Sequence, residues 1–318
     1  MRGVARGAMA VVLGLALAGA AGPAAAQVKR ISIGTGGTGG VYFPTGGVIA
    51  DIINKNLKGI QATAEVTGAS VENIRRVDSK QMEMGMSNAD VLRDAYEGKK
   101  PFSKKMSVLF GFNMHRSTMA MTVLEAAGIK SIPELKGKRF SIGPPGGNTG
   151  VMAERILNAS GLTLNEIRRS PVSFTETVDA MKDGNLDGGA FLGAQPMPSM
   201  LDITATHRVR ILPVDGAARE KLIKDHPELV WAQLKAGMFK GVEQTIDTVG
   251  VWSVFFFHKD TDPNLAYQIT KVVWENRQRL AETHPANANM SEPGAVVEAT
   301  IPIHPGAAKY FKEVGILR

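Results

Sequence analysis

One local pattern limits this fold more than any other feature. A short apolar segment, a loop of glycine and small hydroxyl or amide residues, and a segment with helical apolar spacing follow one another repeatedly. Arg30 to Ile33 leads into the glycine-rich stretch from Gly34 to Gly40, after which Val48, Ile49, Ile52, Ile53 and Leu57 recur at helical spacing. Ala62 to Val66 leads into Thr67 to Ser70, with Ser70 placed as the N-cap of a helix from Val71 to about Val77. Met82 to Met86 leads into Ser87 and Asn88, then a helix from Ala89 to Tyr96 closed by Gly98. Alternation of this kind predicts an α/β architecture built on a parallel-type sheet.

Two long runs interrupt the pattern. Residues 106–124 are mostly apolar or small around Asn113 to Arg116, and Thr248 to Phe257 is a second run rich in β-branched and aromatic residues. Both read as long strands that cross between two lobes. Between them the second lobe repeats the strand and helix pattern. Arg139 to Ile142 leads into Gly143 to Thr149 and a helix to about Ala159, followed by a strand from Pro171 to Ser173 and a helix from Glu176 to Lys182. A strand from Leu186 to Phe191, a helix from about Pro198 and a strand from Val209 to Pro213 complete it. Pro263 to Ala281 then reads as an amphipathic helix back in the first lobe. The expected division is 27–112 for the first part of lobe one, 113–247 for lobe two and 248–318 for the return. No low-complexity linker separates the lobes, so their relative motion is expected to be a hinge.

The chain of 318 residues opens with Arg2 and Arg6, an apolar run from Met9 to about Ala21, and Ala24 to Ala26 before Gln27. That reads as a secretory signal, residues 1–26, cleaved after about Ala26, which puts the mature chain in the periplasm. The apolar run falls short of the roughly 18 to 20 residues that a spanning helix needs. There is no cysteine, which removes disulfide scaffolds, thiol nucleophiles, thiolate metal sites and a lipidated cysteine together. The net charge of +7 is spread among acids and is not interleaved with aromatics, so no nucleic-acid partner is expected.

The loops after the strands carry the candidate chemistry. Gly34 to Gly39 matches G-x-G-x-x-G, yet Pro44, Gly46 and Gly47 stand where a dinucleotide-binding helix is expected to run, and no clear acid ends the next strand, the nearest candidate, Glu65, being followed by more strand-like residues. A run this rich in glycine fits a backbone that approaches a ligand closely and offers its N–H groups. Thr67 to Ser70, Ser87 with Asn88, and Gly146 to Thr149 each place small neutral donors at the start of a helix, where the macrodipole favours an anion; capping is the competing role. In open α/β sheets such loops converge beyond the carboxyl ends of the strands. Sequence patterns of metalloproteases, serine hydrolases and β-lactamases are absent, and the six histidines lack metal-ligand spacing. His304, just before Pro305 and Gly306, is the most tempting base but reads better as structural, and the methionines at 82, 84 and 86 read as strand core. No enzyme activity, cofactor or metal is expected.

These residues resemble the TAXI class of solute receptors of tripartite ATP-independent periplasmic (TRAP) transporters over essentially the whole mature length. The resemblance rests on Ile33 to Pro44, Val66 to Asn73, Leu135 to Arg139 with Gly143 to Gly146, and Ile301 to Ala307 followed by Lys312 to Gly315. It implies a two-lobed, type II-like periplasmic-binding-protein fold with two crossing hinge strands. It further implies a small carboxylate ligand, such as glutamate or a keto or dicarboxylic acid, delivered to the membrane subunits of a TRAP transporter by a monomer. Thr35, Gly36, Tyr42, Ser70, Asn88, Gly146, Gly147 and Thr149 fall in stretches that resemble the pocket-lining loops. The chain departs from the family pattern at Asn113 to Arg116, where an acid is usual, at Asn88, near which glutamine is usual, and at Ala194 to Pro196. Two residues in those departures become further candidates. Arg116 would hold a carboxylate bidentately if it faces the cleft, the competing position being a solvent-facing hinge charge, and Gln195 would line the pocket. The binding subunit of an ATP-driven importer with a related fold is the alternative, and an exported hydrolase a more distant one.

Overall fold

A computed structural model describes residues 28–291 and 294–318. The proposed signal and its cleavage site lie outside the described residues. The first half of the molecule runs β1 (Lys29–Gly34), α1 (Tyr42–Asn56), β2 (Ile60–Glu65), α2 (Ser70–Asp78), β3 (Met84–Asn88) and α3 (Ala89–Glu97). The long strand β4 (Val108–Leu124) leads into β5 (Arg139–Ser141), α4 (Asn148–Ala159), β6 (Arg168–Ser170), α5 (Phe174–Lys182), β7 (Gly188–Gly193) and α6 (Pro198–Thr206). Then come β8 (Val209–Leu212), α7 (Gly216–Asp225), β9 (Val230–Leu234) and the second long strand, β10 (Ile246–His258). The chain closes with α8 (Pro263–Glu275), α9 (Arg277–Thr283), α10 (Gly294–Val297) and α11 (Pro305–Glu313).

The strands form one sheet in the order β2-β1-β3-β10-β4-β7-β5-β6, with β8 on β4 and β9 on β10. Pairing is parallel in β2-β1-β3 and in β7-β5-β6, while β4 and β10 lie antiparallel to each other and to their outer neighbours. Each long strand serves both halves. The C-terminal part of β10, from Ser253 to Phe257, pairs with β3, and its start, from Ile246 to Gly250, pairs with β9. On β4 the segment from Thr118 to Val123 pairs with β7. The register between β4 and β10 shifts between Trp252 and Val254, opposite Asn113 to Arg116. A bulge there bends both strands at the point where they pass from one half to the other. The fold is the mixed, two-lobed α/β architecture expected from the sequence.

Apolar residues on both faces of the sheet account for its burial. Ile31, Ile33, Met84, Met86, Phe112, Phe255 and Phe257 pack with α1, α8 and α11 in one cluster, and Met119, Met121, Phe140, Met152 and Ile156 belong to another that reaches across the two halves. At roughly 25 cal/mol per Å² of apolar surface removed from water, such clusters supply the main stabilisation. Met84 and Met86 are buried strand core, as their spacing indicates, while Met82 is equally buried but precedes β3.

Four local expectations need correction. Helix α1 begins at Tyr42 and runs through Pro44, Gly46 and Gly47. Pro44 sits in the first turn, where an N–H has no intrahelical partner to lose. A Cβ on Gly46 would stand 2.4 Å from the Thr35 methyl, so glycine there lets α1 lie directly on the end of β1. The segment from Pro171 to Ser173 is not a strand: β6 ends at Ser170, and Ser173 caps α5. The expected strand from Leu186 begins at Gly188 and extends to Gly193. The expected helix from Pro263 to Ala281 is two helices that meet at Asn276.

Candidate functional site

A cleft of about 560 Å³ opens where the two halves face each other. Its walls are the loops that follow β1, β2 and β3 on one side and β5, β6 and β7 on the other, at the carboxyl ends of the strands. Gly36 to Tyr42, Val66 to Ser70 and Asn88 face Pro144, Pro145, Gly147 to Thr149, Ser173 to Glu176 and Leu192 to Ala194. The loops of the two halves touch. The Gly146 carbonyl accepts from the backbone N–H groups of Val71 at 2.9 Å and Glu72 at 3.0 Å. The Ser199 hydroxyl at the start of α6 donates to the Gly39 carbonyl at 2.9 Å. The conformation is therefore a closed one.

A chain of hydrogen bonds crosses the floor between the crossing strands. The Tyr42 hydroxyl donates to Ser253 Oγ at 3.0 Å, and Ser253 Oγ lies 2.7 Å from Ser117 Oγ. Asn88 Nδ2 donates to both serines, at 3.1 Å to Ser117 and 3.3 Å to Ser253. Asn148 Nδ2 donates to Asn88 Oδ1 at 3.2 Å and to Asp90 Oδ1 at 2.8 Å. Beyond it the Arg155 guanidinium of α4 bridges Asp90 at 2.6 Å and Asp94 at 2.5 Å on α3. Burial pushes the Asp90 carboxyl upward against the opposing pull of Arg155, and burial pushes the Tyr42 phenol upward as well. The phenol is a neutral donor at physiological pH.

Charge in the cleft is sparse. Among the described residues no lysine or arginine lines it, and its two acids are already engaged: Glu72 accepts from the Gly68 N–H at 2.7 Å and Glu176 from the Ser173 N–H at 2.9 Å. Of the helices that begin at the cleft, α2 has two first-turn N–H groups on the Gly146 carbonyl and α5 is capped by Ser173. Helices α1 and α4 start without a side-chain cap. The hydroxyls of Thr149 and Thr175 line the cleft, and no hydrogen bond to either is present among the described residues. An anion has its best place against the start of α4, where unused N–H groups, the macrodipole and a free hydroxyl coincide.

Of the residues singled out from the sequence, Gly36, Tyr42, Ser70, Asn88, Gly147 and Thr149 line this cleft. Four stand outside its wall. Thr35 is fully buried and its hydroxyl donates to the Glu65 carbonyl at 2.5 Å, holding β1 to β2. Gly146 turns its carbonyl onto α2. Gln195 donates to the Thr118 carbonyl and turns away from the opening. Arg116 stacks on Trp252, 4.1 Å from guanidinium carbon to ring centre, beside Glu298 at 3.9 Å. Strand alternation is the reason, since His115 lines the cleft and its successor on β4 points the other way. Ser70 is the first residue of α2, behind Ala69 as N-cap, and its hydroxyl accepts from the Asn88 N–H at 3.3 Å. His304 is the buried cap of α11, its Nδ1 accepting from the Gly306 N–H at 3.2 Å.

Sequence reasoning singles out neither His115 nor the turn at Ser173, and it reaches Asn148 only as part of the stretch from Gly146 to Thr149. That turn carries a readable signal, since Ser173 and Glu176 form a capping box and so mark a helix start beside the cleft. Asn148 carries one as well, since it lies within the donor-rich helix start from Gly146 to Thr149, whereas His115 carries none, because only the fold places it on the wall.

The whole length from Ile33 onward carries a family signature: the model of the NMT1-like family matches residues 33–315. The chain belongs to the NMT1-like family. Solved structures similar to this NMT1-like chain repeat its architecture. A protein of Bordetella bronchiseptica RB50 shares 16% identity over 91% of this chain and 89% of its own, with a TM-score of 0.53. PhnD1 from Prochlorococcus marinus (MIT 9301), solved in complex with methylphosphonate, shares 11% over 84% of this chain and 98% of its own, TM-score 0.52. A putative L-cystine ABC transporter from Listeria monocytogenes shares 14% over 82% and 98%, TM-score 0.50. At these identities the likeness establishes the fold, a type II-like periplasmic-binding-protein architecture. Among the described residues no helix is long and apolar enough to cross a membrane, and no cluster of three histidine, cysteine or acidic side chains could hold a metal ion.

Proposed function

We propose that this chain is the solute-capturing subunit of an importer, a non-enzymatic receptor that closes its two lobes on a small organic anion. The observation that carries the reading is the cleft itself. Loops from both halves wall it, two strands hinge it, and its floor is a continuous hydrogen-bonded chain of neutral side chains from Tyr42 to Asn148. In this reading lobe one comprises 27–112 and 248–318, lobe two comprises 113–247, and the mature protein works in the periplasm. The anionic end of the solute lies against α4, with Gly147 and Thr149 as its donors, and Gly36, Tyr42, Ser70 and Asn88 shape the opposite side.

The proposed membrane partner is that of an ATP-driven importer. Support comes from solved structures of the same fold, one described as a putative L-cystine ABC transporter and one a methylphosphonate complex. The resemblance of the loop motifs to those of TAXI receptors favours a second reading, delivery of a carboxylate to a TRAP transporter. Native mass spectrometry of the mature protein purified from its own periplasm tests the receptor reading, with a bound small acid as the expected result. Uptake of that acid by whole cells then separates the partners. An ATP-driven importer keeps working when the ion gradients are collapsed and ATP is maintained, whereas a TRAP system stops. Protein that carries no solute and gains no thermal stability from any organic anion would overturn the receptor reading.

A further inference from the structure

The floor of the cleft contains two buried hydrogen-bond acceptors that the protein leaves unused. His115 is fully buried, yet its ring borders the cleft and lies 5.8 Å from the Tyr42 ring. Its Nδ1 is 2.9 Å from Asn287 Oδ1, and the orientation of that amide is settled by its other end. Asn287 Nδ2 donates to the Leu280 carbonyl at 2.9 Å and to Thr45 Oγ1 at 3.2 Å, so its oxygen is the atom that meets the imidazole. Nδ1 must then carry the proton, and Nε2 is a bare lone pair with no partner. Burial holds the ring neutral, with its pKa lowered to about 4. His115 is part of the cleft wall and Asn287, its partner at Nδ1, is not.

Asn148 repeats the arrangement at the other end of the floor. Both hydrogens of Nδ2 are used, on Asn88 Oδ1 and Asp90 Oδ1, and its Oδ1 is buried without a partner. A buried acceptor left unsatisfied costs on the order of 1 to 3 kcal/mol, and natural structures keep few of them. Two on the lining of one cleft call for an external donor.

We infer that the solute brings hydrogen-bond donors to His115 Nε2 and Asn148 Oδ1, so that the bound acid is one bearing a hydroxyl or amino group and not a purely anionic compound. The inference rests on the receptor reading and sharpens its substrate class. A carboxylate, sulfonate or phosphonate oxygen directed at Nε2 would set lone pair against lone pair. A hydroxyl or ammonium in the same place completes the imidazole's second bond, while the anionic group lies against α4. His115 thereby becomes the residue that selects among acids of one size.

Calorimetric titration of the mature full-length protein tests this with matched pairs. 2-Hydroxy acids and 2-amino acids of increasing side-chain length are each titrated beside the parent acid that lacks the donor. The donor-bearing member of a pair should bind about 10-fold tighter or more, the scale of leaving a buried acceptor unpaired. The hydroxy and amino arms show which donor the site takes. In His115→Phe the preference within a pair should collapse towards unity, and in His115→Gln, which restores an acceptor oxygen, part of it should return. Parent acids that bind wild-type protein as tightly as their donor-bearing partners would overturn the inference and leave the receptor reading standing. A preference unchanged in folded His115→Phe would equally overturn it, and if that variant fails to fold, the wild-type ratio alone decides. Binding of no member of the panel would overturn this inference, while the receptor reading would still be decided by the co-purified solute and by thermal stabilisation with other organic anions.

Discussion

At the scale of single residues, one position of strand phase decided the assignment that mattered most. Arg116 is the only cation among the residues singled out from the sequence, and a guanidinium in the cleft would have made a bidentate carboxylate clamp. The alternation of β4 gives the cleft to His115 and sends Arg116 to the face of Trp252, where its side chain is 33% exposed. What remains for an anion is a set of neutral donors, each of modest strength. Thr149→Val should therefore weaken the solute by about 0.5 to 2 kcal/mol, whereas Arg116→Gln should leave affinity unchanged and reduce stability by at most about 1 kcal/mol through the lost stacking. Calorimetry of both variants with the co-purified solute, alongside their melting temperatures, checks the pair. An Arg116→Gln protein that folds normally but loses its solute would return the arginine to the site.

At the scale of elements, the closed state depends on a helix start that is capped by the other half of the molecule. Helix α2 lacks a side-chain cap, and the Gly146 carbonyl takes two of its first N–H groups. That contact requires Gly68, because a Cβ there would stand 2.1 Å from the Pro145 carbonyl oxygen. Gly68→Ala removes nothing from the cleft wall but forces the 144–147 loop back. Its expected effect is faster solute release and an affinity lower by roughly 10-fold or more, with the melting temperature of the solute-free protein little changed. Stopped-flow release measurements read this directly, and an unaltered off-rate would show that the loop contact plays no part in closure. Pattern reading fails at the same helix start: the expected N-cap, Ser70, is the first residue of α2, and its hydroxyl accepts from the Asn88 N–H on the neighbouring strand and not from α2.

At the scale of the whole molecule, the proposed hinge is the pair of strands that joins the halves, β4 and β10. These strands are hydrogen-bonded to each other throughout their crossing, with a register shift where the halves meet. In the proposed closure, motion would be confined to a bend in two paired strands, so that few residues change conformation. Small-angle scattering of the solute-free protein should give a radius of gyration larger than this closed conformation predicts, falling to that value when the solute is added. Identical curves with and without saturating solute would show that the halves do not move.

What the sequence determined by itself was the order and kind of most elements, which depend on local spacing. The glycine-rich loops after short apolar segments specified an α/β sheet with its loops gathered at one end, and two uninterrupted β-rich runs specified the crossing strands to within two residues at either end. Six of the ten candidate residues line the cleft for the same reason, since a loop at the carboxyl end of a strand has one place to go. Tertiary structure alone decided the rest. Which side Arg116 faces follows from the phase of a strand whose partner carries a bulge, and no count along the chain reveals it. The Gly146 carbonyl and the α2 helix start meet across about 75 residues of sequence, and His115 owes its bare nitrogen to Asn287, 172 residues away. A hydrogen-bonding group can be recognised from its residue type, but whether it is spent on the protein or left for a solute depends on which distant chain segment packs against it.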